Sequence, residues 1–316
     1  MRPDPSASEE SSPETLTHRP VLIREVLEAL HCRPASRKIY LDCTVGGGGH
    51  LEAILAATAP DGKAVGFDRD EETLRAAEER LAPYRERLIL RKASFLEIAK
   101  VAQELNLKEI DGILFDLGIS SVQLDDPERG FSFQRPGPLD MRMDRRQQET
   151  AADWVNRLSQ SELTEILRQY GEERWSKRIA SAIVRFRESQ GEITRAEELE
   201  SIVWRAVPPA TRHRRIHPAT RTFQALRIVV NGEMEQLEAG LESAVSLLAR
   251  GGRLAMISFH SLEDRLVKRA FKRWTQIEAP RRFMNLYKKP ITPGPEEIAQ
   301  NRRARSAKLR VLERVA

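Results

Sequence analysis

Residues 39–50, Ile-Tyr-Leu-Asp-Cys-Thr-Val-Gly-Gly-Gly-Gly-His, constrain the fold more than any other stretch. Ile39 to Val45 is short, apolar and partly β-branched, the mark of a buried strand. Four glycines follow, and Leu51, Ile54 and Leu55 then recur at helical spacing. A strand passing through glycines into a helix is nucleotide-cradle geometry. Glycine lets backbone approach a ligand, and a helix N-terminus offers unpaired N–H groups. The dinucleotide pattern G-x-G-x-x-G is only partly met: Gly46 and Gly48 fit, but Leu51 stands where the third glycine belongs. Asp42, late in the strand, offers an acid for an ammonium group, which a pyrophosphate ligand lacks. Asp68 lies 22 positions after Gly46, at the end of a second strand, where an acid grips ribose hydroxyls. Strand acid, glycines and second acid point to S-adenosylmethionine. On these residues alone a nicotinamide cofactor and a structural turn remain open.

The pattern around this stretch alternates. A helix over 18–31 precedes it. Lys63 to Phe67 is a second strand, and Asp70 caps a helix from Glu71 to Ala82. Leu88 to Leu90 starts a third strand, a helix covers 96–105, and Ile110 to Leu117 is a fourth strand. This predicts an α/β fold with a parallel sheet covered on both faces. Ligands of such sheets bind beyond the carboxyl ends of the strands. Asp42, Asp68, Phe95 and Asp116 all fall at such ends.

The alternation then stops. Residues 125–150 are polar and irregular, and 151–206 are helical, with caps at Ser159 and Thr194 and a break at Gly171. Arg212 to Arg215 is a basic cluster around His213. The parent domain therefore reads as two segments, 18–124 and 221–316, separated by an all-helical insertion over 125–220. The later segment begins with a single long helix from Thr222 to Leu248, which ends at Gly251-Gly252. Arg253 to Phe259 is the fifth strand, Ser261 caps the next helix, and Lys308 to Val315 is a last edge strand.

At 316 residues the chain can bury a large core. No apolar run approaches the ~20 residues of a membrane span. Residues 1–17 are rich in Ser, Pro and Glu, which predicts an unstructured tail and not a signal peptide. Two cysteines make no disulfide framework, which fits a reducing cytoplasm. From Arg265 to Arg314 there are fifteen Lys/Arg against four Asp/Glu. Such an end suits a polyanionic partner, or is simply a solvated basic helix and tail. His213 and His217 are four apart, but arginines surround them and no third ligand is near, so no metal is expected.

Several strings are long and unusual: the glycine run to His50, Asp116 to Ser121 with Gln123 to Asp126, Arg129-Gly130-Phe131-Ser132-Phe133, and Gly137 to Asp144. His18 to Leu22, Tyr170 to Arg174, His217 to Gln224, Ile257 to Arg265 and Arg303 to Ser306 complete the set. In these the chain resembles the bacterial 16S ribosomal RNA cytosine-N4 methyltransferases of the MraW type, over nearly everything from residue 18 onward. The resemblance implies a class I, Rossmann-like methyltransferase sheet with the inserted helical domain. It implies methyl transfer from S-adenosylmethionine to N4 of a cytidine in the decoding region of 16S RNA, within the small ribosomal subunit. It also implies a cofactor held by Gly48, Gly49, His50, Asp68, Phe95, Asp116 and Gln123; the residues themselves add Asp42 and Gly46.

Amino-methyltransferases carry Asp/Asn-Pro-Pro-aromatic after the fourth strand, where this chain has Asp116-Leu-Gly-Ile-Ser-Ser. Asp116 is therefore read three ways: as a cofactor contact, as the catalytic contact to the target amine, or as structure. Ser120 belongs to the same turn and is a candidate substrate contact. Phe133 is a stacking candidate or part of a satellite core. Asp140 and Arg142 are substrate contacts or a loop anchor. Arg221 is a phosphate grip, and His260 is a polar group at the fifth strand's end or a structural histidine.

Overall fold

The computed structural model describes residues 20–213, 215–277 and 282–316. The expected tail 1–17, together with His18, Arg19 and Arg214, lies outside the described residues. The strands are β1 (Ile39–Asp42), β2 (Lys63–Asp68), β3 (Leu88–Lys92), β4 (Ile110–Asp116), β5 (Leu248–Ser258), β6 (Phe283–Asn285) and β7 (Lys308–Arg314). They form one sheet in the order β3-β2-β1-β4-β5-β7-β6. β1 to β5 are parallel, β7 is antiparallel to β5, and β6 is antiparallel to β7. The strand order reverses between β1 and β4, which opens a crevice at their carboxyl ends.

Both faces of the sheet are apolar because successive strand residues point to opposite sides. Tyr40, Ala64, Leu114 and Ala255 face α1 (Ile23–Ala29), α2 (Gly49–Ala57) and α3 (Glu71–Leu81), which bring Val26, Leu51, Ile54 and Ala77. Leu41, Val65, Phe67 and Phe115 face the other way. There α4 (Ile98–Glu104) contributes Ile98 and Val101. A short helix, α5 (Ser121–Asp125), follows β4.

A separate apolar cluster forms from the stretch that breaks the alternation. It is built on α6 (Ala151–Arg157), α7 (Gln160–Gln169), α8 (Ser176–Gln190), α9 (Ala196–Ala206) and α11 (Ala219–Asn231), with the four-residue α10 (Pro209–Arg212) joining the last two without adding to the core. Its buried side chains run from Phe131 to Val230 and include Leu163, Ile179, Leu199 and Phe223. The chain then returns to the sheet through α12 (Glu233–Leu247) and α13 (Ser261–Trp274), whose Leu237, Leu241, Val267 and Phe271 complete the second face. A last helix, α14 (Pro295–Gln300), precedes β7.

Some expected elements change. Residues 222–248 form two helices, because Gly232 adopts φ 55° and turns the chain between α11 and α12. Apolar spacing continues across that glycine, so periodicity alone reads one helix. Gly251 and Gly252 do not end a helix; they lie within β5, where the pairing with β4 shifts register. β7 is interior, and β6 takes the edge. His260 caps α13 in place of Ser261, and Arg195 precedes α9 in place of Thr194.

Candidate active site

The carboxyl ends of β1, β2 and β4, with the turn after β3, surround one cleft of about 510 Å³. Its wall brings together Gly46, Gly49, His50, Asp68, Phe95, Asp116, Ser120 and Gln123. The glycine turn is held from β2: the Gly46 N–H donates to Asp68 Oδ2 at 2.9 Å. Asp68 Oδ1 accepts from the Asp70 N–H, also at 2.9 Å. Burial pushes the Asp68 carboxyl up to about 6, against the pull of these two N–H groups. Both oxygens keep further lone pairs for ligand hydroxyls. Gly46 and Gly48 sit in the left-handed region at φ 53° and 82°. Among the described residues no side chain caps α2, so the N–H groups of its first turn, with Gly49 and His50 in the cleft wall, are not taken up by a cap. A Cβ on Gly49 would stand 2.2 Å from Pro20 Cγ, so glycine is what lets the N-terminal segment close over this turn.

Gly48 and Asp42 are not in the cleft wall. Gly48 packs against Leu81 and contributes conformation. Asp42 is fully buried, so its carboxylate does not line the cleft. Its Oδ1 accepts from the Thr44 N–H at 2.9 Å and from the Thr44 hydroxyl at 3.3 Å. The same hydroxyl oxygen accepts from the Asp116 N–H at 2.6 Å, tying β1 to β4. His50 is buried with Nε2 2.8 Å from the Val21 carbonyl and Nδ1 3.4 Å from Asp116 Oδ2. Burial works against a charge on this ring, but Asp116, with Asp42 behind it, outweighs burial and holds its pKa above the ordinary value. Phe95 meets Phe115 edge-to-face at 5.2 Å.

Ser120 and Gln123 form a capping box on α5. The Ser120 N–H donates to Gln123 Oε1 at 3.0 Å, and Gln123 Nε2 donates to Asp70 Oδ2 at 2.7 Å. Gln123 therefore spends its amide on the scaffold while lining the cleft. The same Asp70 oxygen accepts from Arg129 Nη2 at 2.5 Å. Arg129 is almost fully buried, also reaches Glu72 at 3.0 Å, and donates to the carbonyls of Arg142 and Met143. It fastens the irregular segment to the head of α3.

The other substrate candidates lie outside the cleft wall. Phe133 stacks on His217 at 4.7 Å and meets Phe223 at 4.9 Å, so it is packed into the helical cluster. Arg142 grips Asp140 through Nε and Nη2 at 2.7 and 2.8 Å and donates to the Gln147 carbonyl, the arrangement of a loop anchor. Arg221 is exposed and donates to the Glu172 carbonyl. His260 accepts from the Glu263 N–H as the cap of α13, although its neighbours Phe259 and Glu263 do line the cleft.

With this geometry in place, comparison with known proteins is decisive. The MraW methylase family matches residues 15–315. This chain belongs to that family. The Ribosomal RNA small subunit methyltransferase H of Geobacter sulfurreducens is 50% identical over 313 residues, covering 95% of this chain and 100% of the relative. The protein of the same name from Persephonella marina is 48% identical over 301 residues, covering 94% and 99%. Among solved structures, an rRNA methylase from Streptococcus thermophilus covers 95% of this chain, and this chain 99% of it, at 13% identity with a TM-score of 0.42, too distant a likeness to carry function. The methylase has S-adenosylmethionine as its methyl donor, and one cleft brings together the uncapped turn of α2, the Asp68 carboxyl and the Phe95 ring.

The methylase's far wall escaped the sequence reading. Arg227 holds Glu233 through Nε and Nη2, both at 2.8 Å, and lies 3.8 Å from Glu263. Arg69 is half-buried in the same cleft wall and donates to the Asn231 carbonyl at 2.9 Å. In sequence these are ordinary charges scattered from Arg69 to Glu263; Arg227 and Glu233 fall on what reads as one continuous helix, and the turn at Gly232 lets them face each other. Glu233, His260 and Glu263 bring ligand atoms within 4.8 Å of one another, but the Arg227 guanidinium already supplies the positive charge there. His217 spends its nitrogens on the Ala219 N–H at 3.2 Å and on Glu200 at 3.3 Å.

Proposed function

We propose that this methylase transfers a methyl group from S-adenosylmethionine to the exocyclic N4 of a cytidine in the decoding region of 16S RNA. The observation that carries the proposal is the full-length likeness to small-subunit ribosomal RNA methyltransferases, at 50% identity in one case. The substrate is then the small ribosomal subunit and the setting the cytoplasm. Among the described residues no helix is long and apolar enough to cross a membrane. The basic C-terminal stretch suits a phosphate backbone, which such charges position without reading. The helical unit over 125–220 is the substrate-recognition region of this reading.

The N4 lone pair of cytosine is delocalised into the ring, so the amine is a weak nucleophile. The bound donor supplies an electrophilic methyl. The protein's task is to hold the amine in line with it at ~3 Å, worth several kcal/mol of barrier. The base must leave its stack to enter the cleft. Asp68, Gly46, Gly49 and His50 form the donor's side of that cleft, with Phe95 and Gln123 as its flanks. Asp116, beside His50, is the acid that meets the reacting nitrogen.

Labelled methyl transfer to small subunits lacking the modification, followed by nucleoside analysis, tests this. N4-methylated cytidine, lost with Asp68→Ala, is the expected result. Donor binding without transfer to the subunit would overturn the substrate and return DNA or protein amines.

A further inference from the structure

The reaction leaves a proton to be placed, and two side chains of the cleft wall, His50 and Asp116, stand in front of a third, Asp42, buried behind it. His50 Nε2 lies against the Val21 carbonyl, which only accepts, so this nitrogen carries hydrogen. Nδ1 faces Asp116 Oδ2 at 3.4 Å. A neutral ring would therefore turn its lone pair toward an acid oxygen, and a proton between the two resolves the clash. Asp42 Oδ2 and Asp116 Oδ1 are both buried without any hydrogen-bond partner. Two buried acid oxygens without a donor among the described residues, on neighbouring strands tied through the Thr44 hydroxyl, favour the uptake of one more proton.

We infer that Asp42, His50 and Asp116 form one proton-holding unit at the cleft wall, and that it takes up the proton shed by the target amine. This rests on the proposed cytidine reading, and it assigns the proton acceptor that the reading leaves open. The charges balance. With both acids ionised and His50 an imidazolium beside Asp116, the unit carries one net negative charge beside the positive sulfonium. The carbon–sulfur pair stays with sulfur, the amine's pair forms the N–C bond, and the nitrogen releases one proton. Asp116 receives it at Oδ2, the oxygen beside His50 Nδ1, since Oδ1 is buried. The sulfonium's charge and the unit's charge vanish together.

The surroundings fit that role. Asp116 from β4 and Asp42 from β1 are the ionisable groups acting on the His50 ring, and the N-terminal segment adds only a carbonyl. Burial pushes Asp42 up to about 7, with Asp116 raising it further and His50 opposing. The adjacent Cys43 thiol is pushed up by burial and by Asp42, so it stays a thiol. Arg80 and Arg303 line the cleft but are engaged with Glu52 and Asp125. Among the described residues no lysine or arginine pairs with Asp42 or Asp116. His50 and Asp42 are thus positioning residues acting through Asp116.

Two measurements test the unit separately from the substrate. In the ¹⁵N-labelled, cofactor-free protein, the His50 ring should be doubly protonated at pH 7. A neutral ring with bare Nδ1 would overturn the unit, whatever the protein methylates. In single-turnover transfer to small subunits, Asp42→Asn should slow methylation about tenfold. It should also move the acid limb of the pH profile down by about one pH unit, because the remaining acid is less readily protonated. Donor affinity should stay within about threefold, since Asp42 does not line the cleft. An unmoved limb, or a donor affinity that falls in step with the rate, would reduce Asp42 to a structural or donor-binding role. A doubly protonated His50 alongside an absence of cytidine methylation would sink the substrate reading and leave the unit standing.

Discussion

Single residues here carry opposite costs in the empty and the working protein. Asp42 and Asp68 have carboxyls pushed up to about 7 and about 6, chiefly by burial. A folded-state pKa above the unfolded value means the protonated form favours folding. Their contribution is fully present below about pH 4 and is lost as pH rises through 6 to 7. Urea titrations of the cofactor-free protein should therefore show Asp42→Asn gaining on the wild type between pH 5 and pH 8, by a few kcal/mol. A pH-independent difference would mean that burial does not control this acid. Gly49→Ala must push Pro20 away, and should cost about 1–3 kcal/mol in the same titration and weaken donor binding. At this scale the sequence was legible where chemistry follows strand ends, as at Asp68, Phe95 and Asp116, all found in the cleft wall. It was not legible for Asp42, whose strand position says nothing of the oxygen's direction.

Between elements, the decisive ties are polar and span sequence distances that spacing cannot reveal. Arg129 joins the irregular segment to Asp70 at the head of α3, from a string that reads only as a turn. Removing one partner of a buried pair leaves the other uncompensated, so Arg129→Met should cost about 3–5 kcal/mol in urea unfolding. An unchanged midpoint would show Asp70 content with Gln123 alone. His260 makes the opposite case. As a cap, His260→Ala should cost about 1 kcal/mol while leaving methyl transfer within about threefold of wild type. A collapse of activity at full stability would restore its substrate role. The alternation of strands and helices was legible because apolar period and glycine or proline punctuation agree. The helix break at Gly232 was not, because a single left-handed residue leaves the apolar stripe unbroken.

Over the whole molecule, charge and topology set the behaviour. Binding to ribosomal subunits should weaken linearly with salt on logarithmic axes, and Arg305→Ala, in the exposed basic stretch, should reduce that slope by about one without changing donor affinity. An unaltered slope would place the RNA elsewhere. Filter-binding across a salt series measures both. The strand order also has a consequence for how the chain assembles. β4 and β5 are neighbours in the sheet, yet Asp116 and Leu248 are separated by all of α5 to α12. Closing so long a loop before any contact rewards it is slow. A helical cluster that collapses on its own local contacts draws the two ends together first, turning a distant pairing into a near one. The stretch that interrupts the sheet in sequence thus acts as a splint for its centre, and in refolding the helical signal should rise before the sheet locks.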